Sequence, residues 1–248
     1  DSEKAVKHAR KQVEEAMGAG NGTLIFTSGG TEADNTAIFG AARALRRRGN
    51  RIITSAVEHP AVLECCKRLE QDGYDVVYVG VDDKCRLDLE RLEDAIDENT
   101  ILVSLMQVNN EAGTIMPVDV VKDLMKKKNA PGWFHCDAVQ SFGKLQVPES
   151  ADLISVSSHK IHGPKGAGAL FVRKGIHLPA LIEGGGQESG NRSGTENVPA
   201  ITGFGTAAEL SAKDRDEEHQ RVSVMRRALL KGLKDNLEDL RINSVEED

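Results

Sequence analysis

Five polar clusters in this sequence carry residue types that can do chemistry: Thr27-Ser28-Gly29-Gly30-Thr31-Glu32, Glu58-His59-Pro60, Asn109-Asn110-Glu111, Asp137-Ala138-Val139-Gln140 and Ser157-Ser158-His159-Lys160. A lysine held in a cleft condenses with an aldehyde to form a Schiff base, and serine hydroxyls beside it can bind a phosphate on the same ligand; Lys160 with Ser157 and Ser158 offers both. Asp137 can pair with a protonated ring nitrogen. His59 can stack on a planar ring and shuttle protons. The glycines ahead of Thr31 open a helix, so free backbone N–H groups and the positive dipole end can hold a phosphate without a basic side chain.

Each cluster also has a plainer reading. A lysine after a buried strand is commonly a solvated loop residue, a carboxylate at a strand end caps a turn, and a lone histidine is commonly a satisfied structural residue. Thr31 could serve as a helix N-cap with Glu32 in the first turn. The segment is not a Walker loop, because no Gly-Lys-Ser/Thr follows at that spacing, and the glycine-rich run 163–168 precedes a strand rather than a helix. His135 and Asp137 share one strand face and His159 and His162 are three apart, but they fall on separate segments with no thiol pair, so no metal is expected.

The elements that must position these residues alternate. Short β-branched runs occupy 23–27, 51–55, 75–79, 100–106, 133–136, 152–156 and 167–172, and helical patterns fill 31–48, 61–71, 88–97 and 118–128. Alternation of this kind implies right-handed crossovers and a mostly parallel sheet flanked by helices, an α/β fold. The five clusters follow the first, second, fourth, fifth and sixth strands, at the sheet edge where ligands bind in such folds. From Val198 the strands stop. Two helices are expected to about Asn236, the second charge-rich from about Lys213, with a hinge near Ser211. That divides the chain into a large domain, 1–211, and the start of an incomplete small domain, 212–248.

Composition limits the partners. The chain has 248 residues, 39% hydrophobic and 29% charged, with 32 Lys and Arg against 39 Asp and Glu for a net charge of −7. Its basic residues are mostly scattered, which argues against nucleic acid or an anionic membrane surface. Apolar runs are strand-sized, far below the roughly 18 residues of a membrane helix. Four cysteines, with Cys65 and Cys66 adjacent, make no disulfide framework and suit a reducing compartment. A cytoplasmic location is expected, with the mitochondrial matrix as alternative. An amphipathic helix already begins at Ser2 and an apolar pattern breaks off near the last residue, so segments are expected to be missing at both ends.

A phosphate cradle, a lysine, an aspartate and a histidine on one sheet edge are the parts that pyridoxal 5′-phosphate (PLP) requires. The strings FTSGGTEADN, VEHPAV, VNNEAGTIMPV, HCDAVQSFGKL, SSHKIHGPKGAGALFVRK and GGGQESGNRSGTEN resemble those of the cysteine desulfurases, the NifS/IscS-like branch of the class V aminotransferase-fold PLP enzymes. The resemblance runs from about Glu3 to Leu237. It implies the large domain of aminotransferase fold type I, with Lys160 as Schiff-base lysine, Asp137 as partner of the pyridine nitrogen, and Gln140 as donor to the ring's phenolic oxygen. It further implies His59 as the stacking and proton-transfer residue, and Gly30, Thr31, Ser157 and His159 as phosphate ligands. By the same resemblance, Asn110 is expected to face cofactor and substrate, and Thr195 to reach the phosphate of the neighbouring subunit, which implies a homodimer.

The implied reaction is removal of sulfur from L-cysteine to leave alanine and an enzyme persulfide, for an iron-sulfur scaffold or another sulfur acceptor. Selenocysteine lyase, another enzyme of the same fold, and a non-catalytic scaffold are the alternatives. The sequence departs from the pattern where the N-terminal Gly-Asn-Pro motif, the persulfide-cysteine loop and the substrate-carboxylate arginine are absent, and where Ser189 replaces a basic residue. Successive strand side chains alternate faces, so Cys136 is expected to point away from the surroundings of Asp137. Cys65, Cys66 and Cys136 are expected to be buried packing residues. Turnover by these residues alone is not expected.

Overall fold

A computed structural model describes residues 1–245. Seven strands form one sheet in the order β1-β7-β6-β5-β4-β2-β3. They are β1 (Gly22–Thr27), β2 (Arg51–Ser55), β3 (Asp75–Val79), β4 (Thr100–Met106), β5 (Trp133–Asp137), β6 (Leu153–Ser157) and β7 (Gly168–Arg173). β7 pairs antiparallel to both β1 and β6, while the other pairings are parallel, so six strands end on the same edge. The helices are α1 (Ser2–Met17), α2 (Gly30–Leu45), α3 (Pro60–Gln71), α4 (Leu89–Ala95), α5 (Val121–Lys127) and α6 (Val198–Asn236). The expected α/β architecture is realised, with strand positions close to those read from the β-branched runs.

Period-two alternation divides the core between the two faces of the sheet. Phe26, Val103, Phe134, Cys136, Ile154 and Phe171 join one apolar cluster with residues of α1, α4, α5 and α6. Ile25, Ile52, Leu102, Leu153 and Leu170 join the other with the buried faces of α2 and α3. Cys136 therefore lies on the opposite face from its neighbours His135 and Asp137, as expected. On the first face, α1 lies against the start of α6, and Gly205 permits the approach: a Cβ there would stand 2.7 Å from Ala9 Cα. Arg10 of α1 grips Glu188 with two nitrogens at 2.7 and 2.8 Å.

The expectation of two helices with a hinge near Ser211 is corrected. α6 is a single helix of 39 residues through that position. What changes there is burial. Ile201, Phe204, Ala207 and Ala208 are buried, whereas Leu210, Val222, Val224, Met225 and Leu229 are exposed. Residues 206–231 contain neither glycine nor proline, and side-chain pairs such as Arg221 with Glu218 suit a continuous helix. A change in composition marked where packing stops, not where the backbone breaks. No described helix is long and apolar enough to cross a membrane.

Candidate active site

The carboxyl edge of the parallel strands opens into a cavity of about 280 Å³ lined by Gly30, Thr31, Asp34, His59, Met106, Val108, Asn110, Asp137, Val139, Gln140, Ser157, His159 and Lys160. Nine residues singled out in the sequence meet here: Gly30, Thr31, His59, Asn110, Asp137, Gln140, Ser157, His159 and Lys160. Thr195 does not. It lies exposed in a separate cavity of about 230 Å³, with Phe26, Glu188 and Arg192.

Lys160 is placed by the tight turn that follows β6. A single 3-10 turn, Ser158–Ile161, ends at His162 in the left-handed conformation, and Gly163 N–H closes onto the Ser158 carbonyl at 3.1 Å. Ser158 and Ile161 are buried and anchor the turn, so Lys160 between them is directed to the cavity. Among the described residues, its amine has no hydrogen-bond partner. Ser157 Oγ and His159 Nδ1 are 2.8 Å apart, which ties together the two polar side chains before the lysine.

Asp137 is the last residue of β5 and is 6% exposed. One carboxylate oxygen accepts the Val139 N–H at 2.9 Å, so the turn-capping reading of this residue is correct as far as it goes. That bond occupies one oxygen only. Burial holds the Asp137 carboxyl above its ordinary range, while the Val139 N–H and the charges of His59 and Lys160 pull it down. A cation at the free oxygen is the natural complement of such a group.

His59 also has a structural task, as N-cap of α3: Nδ1 accepts the Ala61 N–H at 3.1 Å. With Nδ1 accepting, the ring proton resides on Nε2. Asn109 ties the loop after β4 to the loop after β2. Its amide donates to the Val57 carbonyl at 3.0 Å and its oxygen accepts from Glu111 and Ala112 N–H, which sets Asn110 at the rim.

Helix α2 begins without a side-chain cap. Its N-cap is Gly29 rather than Thr31, so the reading of Thr31 as N-cap is not realised. Gly30 must be glycine here because a Cβ would meet Val139 Cγ2 at 2.6 Å. The helix start is thus pressed against the cavity wall with its first N–H groups uncapped, an arrangement suited to an anion.

Asp34 is a polar lining residue to which the sequence reading gave no role, although it lies within the string FTSGGTEADN. It lies one turn past Gly30 on the buried stripe Gly30, Ala33, Ala37, Ile38 and Ala41 of α2, and an acid in such a stripe is the signal that could have found it. Glu58, whose side chain is also buried, accepts the Ser55 hydroxyl at 2.5 Å and the Met106 N–H at 3.1 Å, and burial raises its pKa to about 8.

His135 is fully buried between Ser104 Oγ at 2.8 Å and Ser155 Oγ at 2.9 Å, and burial lowers its pKa to about 3. Both ring nitrogens are engaged by hydroxyls. Among the described residues, no three His, Cys, Asp or Glu side chains are arranged to hold a metal ion.

The residues fit PLP on the structure's own terms. An uncapped helix start suits a phosphate, a lysine amine suits an aldehyde, and a buried carboxylate with an unspent oxygen suits a ring N–H.

Comparison with known proteins agrees with this geometry. The pattern of the class-V aminotransferases matches residues 1–248. The chain is 42% identical over 245 residues to cysteine desulfurase IscS of Clostridium botulinum, covering 98% of this chain and 61% of that protein. A solved NifS-like protein superposes with a TM-score of 0.93 at 39% identity, covering 99% of this chain and 67% of that one. A structure described as SspA in complex with cysteine superposes with a TM-score of 0.77 at 38% identity, covering 84% and 61%. The chain thus spans about three-fifths of the length of the curated relatives it matches. The fold, the cavity at its strand ends and these likenesses together place the chain in the class-V aminotransferase family, a family of PLP-dependent enzymes, on its NifS/IscS-like branch.

Proposed function

We propose that this chain is the cofactor-binding part of a PLP-dependent cysteine desulfurase. The observation that carries the reading is the single cavity in which Lys160, Asp137, His59 and Gln140 meet the uncapped start of α2. When bound, PLP supplies an electron sink for the carbon skeleton of the amino acid. Lys160 holds the aldehyde carbon, Asp137 holds the ring N–H, and Gln140 donates to the phenolic oxygen. Gly30, Thr31, Ser157 and His159 hold the phosphate. His59 covers the ring and moves a proton through Nε2, and Asn110 faces ring and substrate at the rim.

In the overall reaction the C–S bond of L-cysteine breaks and an S–S bond forms on an enzyme thiol, so that cysteine and thiol give alanine and persulfide. None of the four thiols here suits that task. Burial pushes Cys65 and Cys66 up to about 12 and Cys136 well above the ordinary thiol range, and burial also raises half-buried Cys85. A thiol that attacks sulfur must be ionised and reachable. The persulfide then passes to a sulfur acceptor such as an iron-sulfur scaffold protein, in the cytoplasm.

Residues 1–211 form the PLP-binding domain and 212–248 begin a small domain. The loss of burial along α6 after Ala208 supports that division; the last three residues lie outside those described. Thr195, which lines a different cavity of its own chain, serves the phosphate of the second subunit in a homodimer.

The visible spectrum of the purified protein tests the cofactor assignment: a yellow, borohydride-reducible chromophore is expected, and a colourless protein that takes up no added PLP contradicts it. For the dimer, Thr195→Ala is expected to weaken PLP retention more than folding. Unchanged PLP affinity in a folded Thr195→Ala dimer contradicts the cross-subunit role.

A further inference from the structure

The start of α2 stands between two cavities. Gly30 and Thr31 line the one that contains Lys160, and Ser28, two residues before Gly30, lines the other together with Arg192 and Thr195. Glu32, in the first turn, reaches back along the chain: its Oε2 accepts the Ser28 N–H at 2.8 Å. It therefore closes the turn from outside the helix, and the first helical N–H groups stay uncapped.

This arrangement contains a conflict. A carboxylate in a first turn is favoured by the positive end of the helix dipole, which is the same field that a phosphate at Gly30 and Thr31 would use, and the two like charges repel. Glu32 is ionised. Burial alone would raise its carboxyl, but hydrogen bonds from Arg192 and Ser28 outweigh burial and hold it below the ordinary carboxylate range. A glutamine could accept the Ser28 N–H as well, without the charge.

Arg192 answers that charge. Its Nε donates to Glu32 Oε1 at 2.8 Å and its Nη2 donates to Oε2 at 3.2 Å. The Glu32 side chain is 11% exposed and that of Arg192 23%, so water and salt screen this pair less than a pair on an open surface. Glu188, the other acid near Arg192, is already gripped by Arg10.

We propose that Arg192 is a positioning residue for cofactor binding: from the second cavity it neutralises Glu32, so that the start of α2 can accept an anionic phosphate in the first. The inference rests on the reading that Gly30 and Thr31 hold the phosphate of PLP. Arg192 acts without touching that phosphate, by removing a repulsion.

The test titrates the full chain with PLP and with pyridoxal, the same aldehyde and ring without the phosphate. Arg192→Gln is expected to weaken PLP binding about tenfold, the factor of one pKa unit, and pyridoxal binding less than about twofold, because only the phosphate meets the unanswered charge. Adding Glu32→Gln keeps an acceptor for the Ser28 N–H but removes the charge, and is expected to return PLP affinity to within about threefold of the native value. Circular dichroism shows which variants are folded. If Arg192→Gln does not fold, Glu32→Gln alone decides: PLP is expected to bind at least about threefold more tightly with pyridoxal unchanged, and PLP affinity no better than native overturns the proposal. Equal losses for the two ligands in Arg192→Gln, or a double variant no better than the single one, mean that the pair only tethers the segment carrying Thr195, and overturn it too. So does full PLP affinity in a folded Arg192→Gln protein, which leaves the PLP assignment standing. A native protein that binds PLP no more tightly than pyridoxal removes the phosphate cradle and the role of Arg192 together.

Discussion

The two faces of the same strands do different work at the carboxyl edge. Toward α2 and α3, the ends of β4, β5 and β6 carry Ser104, His135, Asp137, Ser155 and Ser157, all polar and buried, with Met106 the apolar exception at the end of β4. Toward α1 and α6, their immediate neighbours are Val103, Leu105, Phe134, Cys136, Ile154 and Val156, also buried and all within one apolar cluster. One residue of offset separates packing from chemistry. The apolar face gains stability from area removed from water, whereas the polar face keeps acids and a neutral histidine that cost stability unless a ligand answers them.

Substitution of the largest side chain on the apolar face gives the sharpest expected contrast. Phe134→Ala removes a fully buried ring from the centre of that cluster and is expected to cost about 3–5 kcal/mol in denaturant unfolding. A loss under about 1 kcal/mol would break the assignment of stability to that face. Asp137→Asn, three residues along on the other face, is expected to do the reverse. The PLP-free protein should melt no lower at pH 8, because burial already disfavours the charged form of Asp137, while PLP affinity falls by about tenfold or more. Equal losses of stability in the two variants would erase the distinction.

Glu58 sharpens the comparison through pH. Its folded pKa of about 8 lies above that of an unfolded glutamate, so the folded state binds its proton more tightly. The stabilisation is fully present below about pH 4, declines as pH rises, and is gone above about pH 8. Glu58→Gln is expected to flatten the fall in melting temperature between pH 5 and pH 8.5, and an unchanged slope would show that Glu58 is not the titrating acid. The smallest effect is expected from Cys65, Cys66, Cys85 and Cys136. Replacing all four with serine should leave the spectrum of bound PLP unchanged, apart from losses due to weakened packing.

Much of this was legible in the sequence because the signals were local. β-branched runs marked each strand, and Lys160, Asp137, His59 and Ser157 stood immediately past or at strand ends. What escaped depended on packing between distant segments. Asp34 reads as one polar residue within a helix until α2 is laid against β5. The close approach of Gly30 to Val139, where a Cβ would meet Cγ2 at 2.6 Å, also escaped, because it is a contact between residues far apart in sequence. The unbroken course of α6 past Ser211 escaped because a shift from apolar to charged composition resembles a boundary, although helix propensity does not change there.

The central claim, that the polar face holds PLP through Lys160, is tested most directly by reducing the PLP-loaded full chain with borohydride, digesting it and locating the modified residue by mass spectrometry. The account predicts one pyridoxyl-phosphate adduct, on Lys160, which disappears in Lys160→Ala. An adduct on another lysine, or the same chromophore and adduct yield in Lys160→Ala, would contradict it.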